Sequence, residues 1–590
     1  MPYVKQTWVN DPAGGTPLSA ARLNYLEDGV AAAETPDGAQ AKATAARAAA
    51  EANVAATKGK PDGLATLGSN GRIPTNQLPD VDPNSAHTHS SLLSVADANA
   101  TYLAYNLPIK FGAVGNGIAD DTAALQACIT AAVSNGFPVE LGAYTYKISG
   151  PINATPGLGG IEVRGFGVKS KIVQYNLTSD FFTLGDGVTP AYNARFSDFA
   201  VTSASSQTAG WVFNGRLVGR CSWSRVAMQD AQDANAGKRI FSGIKLDGFD
   251  DCSITDCQIF AGTTAGASNV GVQANGRVDQ SWGADLHIEG GSKIAGFNRA
   301  IYLGGGAGGV YVDETNIGVN NYSVWVDTSA VAITNRELFL GAQAILDSAN
   351  FTNMYVTNNS LTHLDCVGTW IASAGQAADV TNGAGVNIGG QTATSVYNFS
   401  GCRIYNNGGF GVVINGQSRV IFDGCSVQYN AGLANGTTIS GIAVLGTAAC
   451  DLVVTNSHLH NNGGGGFGWG IYLSGSASLR AVINDNIFRD NVQGAMNPAS
   501  LTTTLTARDN IGLLTSNSSN AQILSGSSFI DVTHGLYGTP GTVLVTPWNS
   551  DPADRFWVSA VGATTFRINL PAAAGANKAF FWRAVVGLGD

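Results

Sequence analysis

The sequence predicts a mainly β protein. Its centre is a right-handed single-stranded parallel β-helix, preceded by an N-terminal helical and linker stalk and followed by a small C-terminal β domain. Four observations carry this expectation. The chain has 590 residues, more than one hydrophobic core usually organises, so an elongated repeat or several domains are expected. Charged residues make up only 13% and hydrophobic residues 44%, which excludes wholesale disorder. The 75 glycines follow no three-residue period, which excludes collagen. Most telling, short alternating segments recur at a rough period of 20–30 residues from about Asp120 to Asp531, the mark of a stacked coil.

The elements follow in chain order. Leu18 to Ala33, "LSAARLNYLEDGVAAA", has Ser19 as a helix N-cap and apolar residues at helical spacing. Between Ala41 and Ala56, ten of sixteen residues are Ala. That run favours helix strongly but has little to bury, so it reads as a connector. "GKPDGLATLGSNGRIPTNQLP", Gly59 to Pro79, then breaks the helix with Pro-Asp-Gly and Asn-Gly turns. The expected domains are 1–35, 36–105, 106–535 and 536–590.

One ladder of segments includes "GWVFNG" at 210–215, "GIKLDG" at 243–248, "GVQANG" at 271–276, "AIYLGG" at 300–305 and "SVWVDT" at 323–328. It continues through "AILDS" at 344–348, "GVNIGG" at 385–390, "GVVING" at 411–416, "GIAVLG" at 441–446 and "GIYLSG" at 470–475. Gaps between first apolar positions run 32, 28, 29, 23, 21, 41, 26, 30 and 29. The step of 41 reads as a coil with a longer loop, "LTHLDCVGTW" at 361–370. A second ladder interleaves: "CSITDC" at 252–257, "ADLHIEG" at 284–290, "VYVDET" at 310–315, "VAITNRE" at 331–337 and "MYVTNN" at 354–359. "VIFDGC" at 420–425, "LVVTNS" at 452–457 and "AVINDN" at 481–486 complete it. Two ladders in step imply a coil of at least two short strands, each buried only by stacking on its neighbours. Handedness follows the general crossover preference. A β-sandwich would not keep two motifs in step, and no propeller blade motif appears.

Eight cysteines are too few for a disulfide scaffold, and no close pair faces a second at zinc-ligand spacing. Cys221, Cys252, Cys257, Cys402 and Cys425, which open short alternating segments, read as reduced core residues. A net charge of −10 argues against a nucleic-acid partner. No apolar run reaches a membrane span. The start, "MPYVKQTW", lacks an apolar signal core, so synthesis without a signal peptide is expected.

Ahead of the ladders stands "FGAVGNGIADDTAALQACI". Its Asp120-Asp121-Thr122 should cap a helix that plugs the coil, with Val139 to Leu141 and Tyr144 to Ile148 as strands. Through Gly112, Gly115, Gly117, Asp120, Asp121, Thr122, Ala124 and Gln126 this motif resembles the opening of the pectate-lyase-like β-helix superfamily. That superfamily includes bacteriophage tail spikes and polysaccharide depolymerases. "TWVNDPAGGTPLSAARLNYLEDGV" is similar to the opening of tail proteins from phages of actinobacteria, and the Gly59–Pro79 segment resembles tail-fibre linkers. The closing segment from Gly541 is similar to a small β module found on such fibres. The resemblance implies a homotrimer on the virion tail, synthesised in the host cytoplasm. It would attach to tail or baseplate proteins through residues 1–35 and meet a host cell-envelope polysaccharide.

Such a spike could cleave glycan with two carboxylates, or by lyase elimination, with hydrolysis favoured and no cofactor needed. The alternative is a receptor-binding or structural spike that holds glycan without cutting it. Glycosidases place two acids roughly 5–5.5 Å apart for retention and 6.5–9.5 Å for inversion. Outward carboxylates on coils ~4.8 Å apart meet that range. Alternation in "ADLHIEG" turns Asp285, His287 and Glu289 outward, and in "VYVDET" it turns out Tyr311 and Asp313, with Glu314 at the corner. The expected catalytic residues are Glu289, Asp313, Glu314 and Asp285. His287, Tyr311, Trp325, Asp327 and Glu337 are the expected substrate contacts, because sugars stack on aromatic faces. Asp247, Asp250, Asp251 and Asp256 form a second acidic group, readable as a cation site or as solvated corners. His458 and His460 read as a polar pair and His363 as structural. The polygalacturonase signatures do not appear as a set, so no catalytic residue is carried over from that branch. In the stalk, His87 and His89 of "AHTHS" would bring six imidazoles together around a threefold axis. That suits an octahedral transition metal such as Fe or Ni.

Overall fold

The computed structural model describes Asn24, residues 36–57 and residues 105–586, apart from 158, 229–238, 262–267, 278–282, 328–334, 376–382, 392–393, 417, 433–438, 447–448, 465–467, 474–478, 498–503 and 549–554. The chain divides into two units, Met1–Thr101 and Tyr102–Asp590. In the first unit a helix spans Pro36–Thr57. Its residues 40–56 are all exposed, as expected for an alanine-rich segment with no apolar stripe. Leu18 to Ala33 apart from Asn24, the Gly59–Pro79 linker, and His87 and His89 lie outside the described residues.

The second unit is a right-handed parallel β-helix of about 11 turns. Each full turn contributes strands to three sheets, one more than the two ladders suggest. The first sheet runs through Phe213, Ile244, Val272, Ile301, Val324, Met354, Val386, Val412, Ile442 and Ile471, each paired in parallel with the next. All ten are buried. The second sheet carries Ile254, Ile288, Val312 and Leu340, and the third Ile259, Ile294, Ile317, Leu346 and Ile371.

This register corrects the sequence ladders. "AILDS" belongs to the third sheet and "MYVTNN" to the first. The uneven steps of 21 and 41 are therefore replaced by regular steps of 30 and 32, from Val324 to Met354 to Val386. "LTHLDCVGTW" is not a loop but two strands, Leu361–Val367 and Trp370–Ala372. The strand expected at 331–337 is Asn335–Leu340, with Leu338 and Leu340 inward. In each case alternation located a strand, but its sheet is decided by the coil as a whole.

At the N-terminal end, helix Thr122–Asn135 adds Leu125, Cys128, Ile129 and Ala132 to the coil's core. Asp121 stands at its N-cap without a side-chain capping bond. Its carboxylate instead accepts the Val114 and Gly115 N–H groups, at 2.7 and 3.2 Å. It thereby ties the glycine-rich turn to the helix. Gly136 ends the helix at φ +74°, a conformation other residues adopt at a cost.

Inside the coil, early turns are filled by aromatics. Phe182 and Phe213 stack at 5.1 Å and Phe196 lies 4.7 Å from Phe213. Later corners hold an asparagine ladder. Asn407 Nδ2 donates to Asn430 Oδ1, Asn430 to Asn462 and Asn462 to Asn491, at 2.8, 3.0 and 2.9 Å. Such chains satisfy buried amides that would otherwise be costly. The eight cysteines are all buried and free, the five expected in the core among them.

The parallel ladder ends at Thr504–Arg508. Two three-stranded antiparallel sheets follow. One contains Ser516–Ile523, Lys578–Val585 and Thr542–Pro547, the other Phe529–Thr533, Thr565–Asn569 and Trp557–Ser559. They enclose their own core, including Ile523, Phe566, Ile568, Phe580 and Trp582. Antiparallel structure thus begins at Ser516, ahead of the expected boundary at 535/536. "SFIDVT" alternates like any coil strand, and alternation does not encode the direction of a partner.

Candidate functional site

The outward face of the second sheet forms a lattice of three columns. Strands Ala284–Glu289, Val310–Val312, Asn335–Leu340 and Leu361–Val367 lie on successive coils. Their inward residues Leu286, Ile288, Val310, Val312, Leu338, Leu340, Leu364 and Cys366 are buried, which holds the intervening residues outward. The central column is His287, Tyr311, Phe339 and Asp365, each in register with the next. The first three rings stack face to face. His287 lies 4.6 Å from Tyr311 at 9°, and Tyr311 lies 4.6 Å from Phe339 at 5°.

Acids stand on both sides of this stack. Glu289 pairs with Thr255 of the coil before, and Asp313 continues its column because Val312 pairs with Ile288. Both side chains are exposed. Asp313 Oδ1 accepts the Glu314 N–H at 2.9 Å and the Gln343 N–H at 3.3 Å. The next place in this column is Gly341, where an added Cβ would come within 2.5 Å of the Asp313 carboxyl. Asp313 therefore leans over a glycine, towards the following coil and away from Glu289. Asp285 behaves similarly. Its Oδ1 would lie 2.8 Å from a Cβ at Gly309. Beyond Gly309 on that side stand Glu337 and then His363. Among the described residues, no Lys or Arg pairs with Asp285, Glu289, Asp313 or Glu337 within 4.0 Å.

Glu314 occupies the corner after the strand with φ +46°, where other coils place Asp256 at +54° or glycine, as at Gly368 and Gly401. Its backbone makes the sharp bend, and such left-handed geometry in a non-glycine residue is uncommon.

Two expected contacts lie elsewhere. Trp325 belongs to the first sheet and Asp327 follows directly after its strand Tyr322–Val326, so neither is on the face that carries Glu289 and Asp313. Trp325 sits in a separate aromatic group, 4.7 Å from Tyr355 and 4.4 Å from Tyr322, with the Arg299 guanidinium 4.2 Å above its ring. Asp327 is buried and accepts the Thr357 hydroxyl at 3.1 Å, an anchor between coils. Equal numbers of residues do not separate the sheets from coil to coil, so a motif spacing alone could not assign Trp325 to a face.

Phe339 and Asp365 were missed. The alternation of Leu338 and Leu340 around Phe339 was the available signal, obscured by placing the strand too early. His363 Nε2 and Asp365 Oδ2 lie 2.8 Å apart, and Asn398 Nδ2 donates to Asp365 Oδ1 at 2.7 Å. This pair ends the aromatic stack.

The other motifs form no comparable site. Asp247 pairs with Lys245 at 2.5 Å and accepts Asn275 Nδ2 at 2.6 Å. Among the described residues, no group of three or more His, Cys, Asp or Glu could hold a metal ion. His458 and His460 flank buried Leu459 on the third sheet. Burial, then neighbouring His458, holds the His460 imidazole below its ordinary range. No described helix is long and apolar enough to cross a membrane.

Comparison with known proteins agrees with the architecture. Residues 379–536 match a family model described as "Right handed beta helix region". No curated protein matches the sequence. Similar solved structures include the tailspike protein gp49 from Pseudomonas phage LKA1, at 13% identity and a TM-score of 0.49 over 81% of this chain and 99% of that one. The A-module of mannuronan C-5 epimerase AlgE4 from Azotobacter vinelandii shows 15% identity and a TM-score of 0.45, over 68% and 100%. A tailspike mutant of E. coli bacteriophage HK620, in complex with a pentasaccharide, shows 12% identity and a TM-score of 0.42, over 83% and 94%.

Proposed function

We propose that this chain is a phage tail spike that binds a host cell-envelope polysaccharide along the second sheet and cleaves it by glycoside hydrolysis. The observation that carries the reading is the stacked column of His287, Tyr311 and Phe339, bordered by acids that have no basic partner among the described residues. Sugar rings present apolar C–H faces to aromatic rings, and a row of rings along the coil axis suits a linear chain.

In this reading Glu289 delivers a proton to the leaving oxygen, and Asp313, held by two backbone N–H groups, activates the attacking water. Coils are ~4.8 Å apart. The lean of Asp313 away from Glu289 widens the gap, which favours the inverting separation of roughly 6.5–9.5 Å. Asp285 and Glu337 border the opposite side and would orient hydroxyls. The chain would act as a homotrimer held on the virion tail by residues 1–35, with His87 and His89 clamping the stalk through one transition-metal ion per three chains. The sequence resemblances in the N-terminal segment and linker support that placement.

The test is incubation of the purified protein with host-envelope polysaccharide. New reducing ends without the ultraviolet absorbance of an unsaturated sugar mark hydrolysis, and absorbance marks a lyase. Binding with neither signal leaves an adhesin and ends the catalytic reading. Elemental analysis of dialysed protein, with a His87→Ala/His89→Ala control, tests the clamp; metal-free wild type rejects it.

A further inference from the structure

The outward face of the second sheet carries an excess of negative charge that its later coils lack. The early coils are those of strands Ala284–Glu289, Val310–Val312, Asn335–Leu340 and Leu361–Val367. On them stand five carboxylates, Asp285, Glu289, Asp313, Glu337 and Asp365, and one guanidinium, Arg336. With imidazoles neutral the net charge is 1 − 5 = −4. On the later strands Val396–Ser400, Ser418–Asp423, Cys450–Thr455 and Leu479–Asn484, Asp423 and Asp451 stand against Arg419 and Arg480, a net of zero.

Little on the early coils offsets this excess. Arg336 stands at the edge of the face, its carbon chain beside Gly308. His363 would add one positive charge on protonation, but Asp365 already faces it at 2.8 Å. Arg419, the next Arg in the column of His363, lies two coils further on. That is ~9.6 Å, longer than the Debye length of about 8 Å at physiological salt. With Glu289 protonated, ready to donate, a net of 1 − 4 = −3 remains. The rings of His287, Tyr311 and Phe339 run between Asp285 and Glu337 on one side and Glu289 and Asp313 on the other. A sugar over those rings therefore has carboxylates on both sides.

We propose that the second-sheet site takes a neutral polysaccharide and rejects one that bears carboxylate, phosphate or sulfate on the sugars seated over the rings. The inference rests on the reading that glycan lies along this sheet. Ionised carboxylates only accept hydrogen bonds, so sugar hydroxyls satisfy them as donors. An anionic substituent would set acceptor against acceptor and like charge against like, which is how charged surfaces exclude wrong partners.

Full-length protein incubated with host cell-envelope polysaccharide, separated by anion exchange into neutral and acidic fractions, tests this. New reducing ends should appear about tenfold faster or more in the neutral fraction, and mass spectrometry of the products should find only neutral sugars. Oxidising the primary alcohols of that fraction to carboxylates should slow its cleavage about tenfold. Asp285→Asn with Glu337→Gln, which removes two of the five carboxylates, should narrow that gap about threefold. Cleavage of the acidic fraction at an equal or higher rate, or equal rates before and after oxidation, overturns the proposal and leaves the cleavage reading standing. If neither fraction is cleaved, the cleavage reading fails and calorimetric binding decides. Tighter binding of the neutral fraction then supports the proposal; equal or tighter binding of the acidic one, or no binding at all, overturns it.

Discussion

Two stretches of the second sheet, residues 284–367 and 396–484, share one register and one kind of inner face. Leu286, Ile288, Val310 and Val312 line the first, and Val420, Phe422, Leu452 and Val454 the second, all buried. Outside they diverge. The central column of the early coils is His287, Tyr311, Phe339 and Asp365, whereas the later coils place Asn398, Ile421, Val453 and Val482 there. Acids differ too. In the later coils Asp451 is bound by Arg480 through two contacts at 2.6 and 2.7 Å, and Asp423 accepts from Thr455 and Asn456. In the early coils Glu289 and Asp313 have no basic partner among the described residues. Packing constrains the inner face of every coil, so chemistry can vary only on the outside, and there it is concentrated in the early coils.

The sharpest way to break this contrast is to neutralise acids in both stretches. Glu289→Gln and Asp313→Asn should each lower turnover by about 100- to 10 000-fold, the usual worth of a positioned acid or base. Asp451→Asn and Asp423→Asn should leave it within about twofold, since neither touches glycan in the proposed mode. Circular dichroism should show all four folded. Gly341→Ala refines the point, because its Cβ would meet the Asp313 carboxyl at 2.5 Å. Displacing that carboxyl should cost turnover about 100-fold with little loss of glycan affinity. Full activity in both early variants would move the site elsewhere.

A core truncation should ignore the contrast altogether. Ile301 and Ile442 occupy the same column of the first sheet, in an early and a late coil, both buried. Changing either to Ala should cost about 2–5 kcal/mol, read as a shifted denaturation midpoint. A large difference between them would show that the coils are not equivalent inside.

How far the sequence reaches follows from the same division. Inward alternation was legible: Ile244, Val272, Ile301, Val412, Ile442 and Ile471 do stack in one sheet. So was the outward display of Asp285, His287, Glu289, Tyr311 and Asp313, because it depends only on alternation within a strand. Membership of a sheet was not, since Trp325 and Tyr311 look alike locally and differ only in which side of the coil they occupy. Nor was the lean of Asp313 over Gly341, which requires knowing that residues far apart in the chain share a column. The third sheet was not recognised as a separate column because strands such as Lys293–Ala295 and Asn316–Gly318, with one inward residue each, are too short to show periodicity, and "AILDS" was placed in the first ladder.

The aromatic column offers a smaller test. Tyr311→Ala should weaken polysaccharide binding by roughly 2- to 10-fold, the range expected for loss of one stacking partner. Val453→Ala, at the equivalent place in a later coil, should not change it. Isothermal titration against the uncleaved polysaccharide in a Glu289→Gln background separates binding from turnover. Equal losses in both variants would mean that glycan runs along the whole sheet.

The smallest effect concerns how the later acids are held. Hydrogen bonds from Asn456 Nδ2 at 2.8 Å and Thr455 Oγ1 at 2.9 Å hold the Asp423 carboxyl below its ordinary range, against a minor opposing contribution from burial. A folded-state value below the unfolded one, about 3.9, means that the stabilisation is complete above that pH. It fades as pH falls through the lower, folded value, where the carboxyl protonates in both states. Because Asp423 is exposed, solvent screening should keep its contribution well below about 1 kcal/mol. Asp423→Asn should therefore lower the urea midpoint slightly at about pH 7, and by progressively less at lower pH, once the pH falls below about 3.9. A loss that persists at the lower pH would mean that Asp423 acts through packing or corner geometry rather than charge. The contrast between bound acids in the later coils and unpaired acids in the early ones would then rest on Asp451 and Arg480 alone.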